Sequence, residues 1–211
     1  MKWSPAQRAL IDEMILIGGD VVSRKLTLAS GGNMSVRDPE NSEQFLVTGL
    51  GTWFDRLNIA DFSNVSLDGT VVGGAMEPSS EWKIHQRTYL KRPDVAAVIH
   101  VHPQYSVLID ALGHSVRLFT LDHVSYVQSV GRVPFAPNGS DELGDSVAEQ
   151  LVDQNCVILG NHGSATVADS LEMAYRRVLN LEEAATNTYR AILLGDSTAS
   201  FPDERILSVH S

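Results

Sequence analysis

The sequence contains a single cysteine, Cys156, so no disulfide can form within the chain. This thiol lies in an apolar run at 156–159, where a buried and unreactive cysteine is expected. Scarcity of cysteine is typical of proteins from reducing compartments. We therefore predict a cytoplasmic protein that is not stabilised by disulfides.

Long apolar segments and an excess of basic charge are also missing. No apolar run reaches the roughly 18 residues of a transmembrane helix, and residues 1–5 do not begin the apolar core of a signal peptide. The chain has 16 Lys and Arg against 26 Asp and Glu, a formal net charge of −10. This balance argues against binding to nucleic acid or to a membrane surface. A phosphorylated small molecule remains compatible, because backbone N–H groups and hydroxyls can bind phosphate locally.

The remaining composition is that of a globular protein, with 43% hydrophobic and 20% charged residues. The length of 211 residues predicts one domain over 1–211. Apolar periodicity and turn residues predict helices at 5–28, 78–91, 104–112, 140–153 and 169–194, a short helix in the tail, and strands at 34–37, 44–48, 64–67, 70–72, 95–101 and 155–159. Short strands interspersed with long helices indicate a single α/β domain.

The most informative motif is His100-Val101-His102. Side chains alternate along a strand, so both imidazoles project from one face while Val101 points the other way. The two Cα atoms are then about 6–7 Å apart. Both rings can therefore reach one ion at the bond length of about 2.0–2.1 Å that zinc prefers. The alternative is a surface pair without function.

A third histidine, His162, directly follows a predicted buried strand and precedes Gly163. Ends of buried strands often position functional side chains, and a glycine leaves room for a ligand or metal beside the backbone. By itself, His162 also suits a hydrogen-bonded loop histidine. Three histidines with one open position match a catalytic zinc site.

Glu81 lies at the start of a predicted helix, behind Ser79 and Ser80. It suits either a first-turn acid favoured by the helix dipole or a general base or metal ligand, because proton abstraction beside a carbonyl needs a positioned carboxylate. The serines suit helix caps, or phosphate ligands together with the free N–H groups of the helix start. Gly32 and Asn33 offer similar groups, or form a plain turn.

Five short segments, taken in order, resemble the class II aldolase/adducin family. They are Gly32-Asn33-Met34-Ser35-Val36-Arg37, Pro78-Ser79-Ser80-Glu81-Trp82, Arg92-Pro93-Asp94, His100-Val101-His102 and Asn161-His162-Gly163. Each motif is modest, but their order and approximate spacing are specific. The resemblance covers residues 5–195.

The resemblance implies a three-layer α/β/α fold with a mainly antiparallel central sheet. It also implies zinc (with another divalent metal as the alternative), a phosphorylated sugar as substrate, and a homotetramer with sites between subunits. By position, the metal ligands would be His100, His102, His162 and Glu81, and Glu81 would also be the catalytic acid/base. The residues that would bind the substrate phosphate are Gly32, Asn33, Gly51, Ser79 and Ser80.

Two segments depart from the family pattern. The Thr-Gly pair of the phosphate loop can be placed in two registers within 48–52, and Gly51 fits the chain length better than the other glycine. The family aldolases use a tyrosine from the neighbouring subunit as proton donor, and no tyrosine falls cleanly at that place in 122–126. His123 and Tyr126 are both candidates, and both could instead merely pack.

The function that the resemblance implies is reversible cleavage of a ketose 1-phosphate to dihydroxyacetone phosphate and an aldehyde. The alternatives are dehydration of methylthioribulose 1-phosphate, 4-epimerisation of a pentulose phosphate by relatives that usually place Asp where Glu81 stands, and a non-catalytic adducin-like module that lacks the metal residues. Two roles are open for Trp53, Phe54 and the residues after Arg205: they shape the aldehyde pocket, or they simply pack.

Overall fold

Eight strands and five helices form the regular structure of residues 2–202, the part of the chain that the computed structural model describes. The strands are β1 (Asn33–Arg37), β2 (Gln44–Thr48), β3 (Phe62–Ser66), β4 (Val71–Gly74), β5 (Ala97–Val101), β6 (Val130–Val133), β7 (Cys156–Leu159) and β8 (Gly163–Ala168). The helices are α1 (Pro5–Ser23), α2 (Trp82–Lys91), α3 (Gln104–Ala111), α4 (Asp141–Gln150) and α5 (Leu171–Leu193). A 3₁₀ turn at Phe54–Arg56 and a π-helical turn at His123–Val127 complete them.

The strands join in one sheet with the order β4-β3-β2-β1-β5-β8-β7-β6. Six neighbouring pairs are antiparallel, and only β6 runs parallel to its neighbour β7. The prediction of a mainly antiparallel central sheet is therefore confirmed. β1, β5 and β8 lie at its centre, so the motifs on these strands are buried and rigidly held.

Alternation along the central strands divides the apolar side chains between two cores. Met34 and Ile99 pack with residues of α1 and α5 on one face of the sheet. Val47 and Val98 pack with residues of α2 and α4 on the other face. Helices on both faces of one sheet make the three layers that the sequence predicts.

Side-chain caps start several helices where the sequence predicts them. Ser4 and Gln7 form a capping box at the start of α1, with Pro5 as the first helical residue. Ser140 Oγ accepts a hydrogen bond from Leu143 N at 3.1 Å and caps α4. Local hydrogen bonds therefore explain the starts of these two helices.

The predicted end of α1 at residue 28 is wrong, because the helix ends at Ser23. Lys25 (φ 61°) and Ala29 (φ 54°) adopt the left-handed conformation, which a helix cannot continue. Between them Leu26 turns inward and is only 4% exposed. Leu26 thus fills the core from a loop rather than from a helix.

Two strands, β6 and β8, were not expected from the sequence. β8 consists of small residues without the β-branched enrichment that predicts strands, but it is fully buried between β5 and β7. β6 is a short edge strand that begins just after the π-helical turn. Pairing with distant strands, rather than local preference, determines both elements.

Among residues 2–202, no helix has the length and apolar character needed to cross a membrane. The short helix expected in the tail and the residues after Arg205 lie outside the described residues, as does the end of the predicted domain over 1–211.

Candidate metal centre

His100 is the last residue but one of β5, a strand in the middle of the sheet. His102 is the first residue after this strand. Val101 between them packs into the core against α1 and α5, so the two imidazoles share the opposite face. Their Nε2 atoms are 3.1 Å apart. The alternation predicted for the motif is therefore present.

His162 lies in the tight turn between β7 and β8, where Asn161 takes the left-handed conformation with φ 56°. The ring of His162 comes within 4.9 Å of the His100 ring and 5.0 Å of the His102 ring, measured between centroids. Gly163 makes this approach possible, because a Cβ at that position would lie 2.9 Å from His100 Cε1 and 2.8 Å from His102 Cδ2.

Glu81 is the N-cap residue of α2, and its carboxylate points across the sheet at these rings. Oε2 lies 3.3 Å from His100 Nε2, and Oε1 lies 3.2 Å from His162 Nε2. One ligand atom from each of Glu81, His100, His102 and His162 lies within 4.8 Å of the others. The structure thus brings together the four residues predicted as ligands, which we call the His/Glu cluster.

The hydrogen bonds around the cluster suit a divalent cation. His100 Nδ1 donates to the carbonyl of Ser164 at 2.9 Å, which leaves the Nε2 lone pair facing the cluster. Among the described residues, the buried Oε1 of Glu81 has no hydrogen-bond partner, although it lies 3.2 Å from His162 Nε2. Nitrogen and carboxylate donors of this kind match the preferences of zinc. The residues present therefore fit a metal ion.

The electrostatics of the site keep the ligands in the forms that bind a metal. Burial, together with the positive charge of the neighbouring histidines, lowers the pKa of His102 to about 4. Burial and His100 also lower the pKa of His162. For Glu81, burial opposes ionisation, but the interactions with His100, His162 and Asn33 outweigh it and lower the pKa to about 2. At neutral pH the carboxylate is ionised, and His102 and His162 are neutral with a free lone pair.

The residues predicted to bind phosphate surround the start of α2. Asn33 is paired with His100 across β1 and β5, and its Nδ2 donates to Glu81 Oε2 at 3.0 Å. A second hydrogen of the same amide is left for another acceptor. Gly32, with φ 87°, lets β1 begin against the backbone of β5, where a Cβ would clash.

Ser79 and Ser80 precede α2 rather than belonging to it, since the helix starts at Trp82. Ser79 is buried and its Oγ accepts from Glu81 N at 3.3 Å, whereas Ser80 is exposed. The alternative in which these serines cap the helix is wrong, because α2 has no side-chain cap. Ser79 instead stabilises the turn that presents Glu81.

The two glycines of the predicted phosphate loop differ in their hydrogen bonding. Gly49 N donates to the carbonyl of Asp61 at 2.7 Å, so this amide is already used within the fold. Gly51 is exposed, has φ 72°, and its N–H has no partner among the hydrogen bonds of residues 2–202. Of the two glycines, Gly51 is therefore the one whose backbone N–H has no hydrogen-bond partner among the described residues.

His123 and Tyr126 both lie in the π-helical turn and not in the His/Glu cluster. His123 is fully buried: Nδ1 accepts from Phe119 N at 3.1 Å, and Nε2 lies 3.2 Å from a Glu183 oxygen. Tyr126 is half-buried, and its hydroxyl accepts from Arg176 at 3.1 Å. Within one chain, neither side chain is brought to the cluster.

Sequence reasoning overlooked three buried polar side chains next to the site: Ser35, His85 and Tyr89. A signal was present, because Glu81, His85 and Tyr89 are spaced four residues apart and therefore share one face of a helix. Polar residues on the buried face of a helix indicate a hydrogen-bonded network.

Comparisons with known proteins agree with this site. The family described as Class II Aldolase and Adducin N-terminal domain matches residues 12–189. L-fuculose phosphate aldolase of Methanococcus maripaludis is 34% identical over 166 residues, which cover 79% of this chain and 88% of that protein. 5-deoxy-D-ribulose 1-phosphate aldolase of Bacillus thuringiensis is 31% identical over 200 residues, which cover 92% of this chain and 90% of that protein.

Solved structures show the same architecture. An L-fuculose 1-phosphate aldolase superposes with a TM-score of 0.88 at 29% identity, over 99% of this chain and 96% of that one. The fold, the His/Glu cluster and the relatives confirm the predicted family, together with the predicted enzyme class of a metal-dependent aldolase. The chain belongs to the class II aldolase and adducin N-terminal domain family.

Proposed function

We propose that this class II aldolase uses zinc to cleave a ketose 1-phosphate reversibly to dihydroxyacetone phosphate and an aldehyde. The observation that carries the proposal is the convergence of three imidazoles and the buried Glu81 carboxylate within 4.8 Å. When bound there, zinc supplies Lewis-acid stabilisation of the negative charge that develops on the donor oxygens during cleavage. The relatives that act on fuculose and 5-deoxyribulose phosphates support a phosphorylated ketose as substrate.

Glu81 is the group that moves the proton at the carbon beside the donor carbonyl. Its carboxylate is ionised at neutral pH and therefore has a lone pair free to accept a proton. Its position at the N-terminus of α2, held by Asn33, orients the carboxylate toward the His100 and His162 side of the site. This places one base next to the metal ligands.

The phosphate of the substrate is bound by Gly32, Asn33, Gly51, Ser79 and Ser80. The exposed Gly51 N–H, the exposed Ser80 side chain and the second amide hydrogen of Asn33 support this assignment. Backbone N–H groups at the start of α2 add favourable partial charge for an anion.

The proton on the aldehyde side is handled by His123 or Tyr126 of a neighbouring subunit in a homotetramer. Tyr126 is the better placed of the two, because it is half-buried in the single chain, whereas His123 is fully buried with both ring nitrogens engaged. The buried Cys156 supports a cytoplasmic location. Light scattering of the purified protein tests the oligomeric state.

A substrate screen tests the function. The zinc-loaded enzyme is incubated with fuculose, rhamnulose, 5-deoxyribulose and methylthioribulose 1-phosphates, and the products are identified by mass. We expect dihydroxyacetone phosphate and an aldehyde from at least one of them, and none from the chelator-treated protein or from His100→Ala. Loss of water without fragmentation would identify a dehydratase instead. No metal-dependent product from any of the four would contradict the aldolase assignment.

A further inference from the structure

A continuous chain of buried polar side chains leads to Glu81 from the interior of the protein. Tyr89 OH lies 2.8 Å from Ser35 Oγ, and Ser35 Oγ lies 2.6 Å from His85 Nδ1. His85 Nε2 lies 2.5 Å from Asn33 Oδ1, and Asn33 Nδ2 lies 3.0 Å from Glu81 Oε2. All five side chains are buried. We call the four side chains that lead to Glu81, which are Tyr89, Ser35, His85 and Asn33, the buried relay.

The relay exists because a strand and a helix present matching spacings. Asn33 and Ser35 are two apart on β1, so they share a face about 6–7 Å apart. Glu81, His85 and Tyr89 are four apart around α2, where each step rises about 6 Å. The two rows therefore interleave with one hydrogen bond at every step.

Every hydrogen bond of the relay has one possible direction. The Glu81 oxygen can only accept, so Asn33 must present Nδ2 to it and Oδ1 to His85. His85 Nε2 must then carry the hydrogen, and the neutral ring accepts at Nδ1 from the Ser35 hydroxyl. The oxygen of Ser35 is left to accept from Tyr89.

The neutral state of His85 follows from its surroundings. The ring is completely buried and touches no carboxylate, because Asn33 separates it from Glu81. Burial and the nearby His100 lower its pKa to about 3, with a small opposing effect of Glu81. Because the ring stays neutral, its hydrogen remains on Nε2 while Nδ1 accepts from Ser35. This tautomer donates to Asn33 Oδ1 and so holds the Asn33 amide in one orientation.

We propose that His85 is a positioning residue: through Asn33 it fixes the orientation of the Glu81 carboxylate between His100 and His162. The proposal rests on the role of Glu81 as acid/base in the proposed function. With the relay intact, Asn33 cannot turn its amide over without placing two oxygens against each other at Glu81 and two hydrogens against each other at His85. Glu81 Oε2 is thereby held, and Oε1 is left for the cation.

The simplest alternative is that the relay only holds α2 on the sheet. In that case, removal of His85 would lower stability without a specific effect on Glu81. Ile84 provides a matched control, because it lies on the same helix, is equally buried in the core that α2 and α4 share, and has an apolar side chain that forms none of the hydrogen bonds of the relay.

The experiment compares His85→Leu, His85→Gln and Ile84→Val in the full-length zinc enzyme. For His85→Leu we expect kcat to fall about 10-fold to 100-fold while KM changes less than about twofold, because a misplaced base costs rate rather than binding. His85→Gln can donate to Asn33 from its amide, so we expect it to recover most of the loss. Ile84→Val should shift the urea midpoint without changing kcat.

A spectroscopic measurement tests the same claim without substrate. In the cobalt-substituted protein, we expect His85→Leu to shift the visible bands in the same direction as Glu81→Gln, and His85→Gln and Ile84→Val to retain the wild-type spectrum. Because this arm needs no turnover, it decides the role of His85 even if the aldolase assignment fails. A wild-type kcat and spectrum in His85→Leu would overturn the proposal.

If His85→Leu does not fold, Ser35→Ala replaces it. This small substitution removes the donor that holds the His85 tautomer, together with the acceptor of the Tyr89 hydroxyl. We expect a smaller loss of kcat, about threefold to tenfold, with KM unchanged. Wild-type kcat in Ser35→Ala would then overturn the proposal.

Discussion

Glu81 Oε1 and His162 Nε2 lie 3.2 Å apart, and this buried oxygen has no hydrogen-bond partner among the described residues. A carboxylate oxygen in that state is costly unless a cation balances it. The His/Glu cluster therefore couples metal binding to the stability of the fold. The consequences can be measured separately from catalysis.

Removal of the metal should lower stability. A ligand that binds only the folded protein stabilises it by about 2.7 kcal/mol at a free concentration 100 times its dissociation constant. We expect zinc to raise the urea midpoint of the wild type, and His162→Ala to weaken zinc binding by more than about 100-fold. Titration against a chromophoric chelator measures the affinity. An equal response to zinc in His162→Ala would contradict the assignment of this ligand.

Gly163→Ala should disrupt the His/Glu cluster, because the added methyl group would collide with two of its imidazoles. The added Cβ would lie 2.9 Å from His100 Cε1 and 2.8 Å from His102 Cδ2. We expect a loss of stability of about 1–3 kcal/mol from overpacking, together with weaker zinc binding. Gly19→Ala is the control, because Gly19 lies inside α1 with nothing near its Cβ, and should stabilise by about 0.5–1 kcal/mol. Urea unfolding compares the two, and unchanged zinc affinity in Gly163→Ala would contradict the packing argument.

Glu81→Gln should separate chemistry from metal binding. The amide keeps the size of the side chain but cannot accept a proton. We expect kcat to fall by about 10²–10⁴, the usual contribution of a general base, while zinc stays bound through the three histidines. Metal content per chain and steady-state kinetics are the measurements. A variant that retains near-wild-type kcat would show that another group moves the proton.

Stability should depend on pH through His85. Burial lowers the pKa of the folded-state ring from its ordinary value of 6.5 to about 3. Between these values the unfolded chain binds a proton that the folded protein does not, so acid favours unfolding. We expect the unfolding free energy to fall by up to about 1.4 kcal/mol per pH unit below pH 6.5 from this group.

His85→Gln lacks this titration, so its stability relative to the wild type should improve as the pH falls from 7 to 5. Urea unfolding of both proteins across this range measures the difference. Parallel pH dependence of the two proteins would show that His85 does not remain neutral in the fold.

Several features follow from short stretches of sequence because the physics that decides them is local. The cap of α1 depends on neighbours three residues apart, Ser4 and Gln7, and the common face of His100 and His102 depends only on strand alternation. The order of the family motifs predicted the three-layer α/β/α fold, and the sheet with a core on each face confirms it.

Other features depend on pairing between distant segments, which no local pattern specifies. The small residues of β8 form a strand only because β5 and β7 lie on both sides of them. The end of α1 at Ser23 reflects the core that receives Leu26, not helix preference. For such elements, burial outweighs propensity.

The sequence by itself determined which residue types could bind a metal, that His100 and His102 share a face, and that the chain forms an α/β fold. Only the tertiary structure decided that Glu81 and His162 lie close to these histidines, and that His85 is hydrogen-bonded to Glu81 through Asn33. The reason is that alternation and helical spacing act within one element, whereas these contacts form when α2 packs on the sheet and β8 pairs with β5.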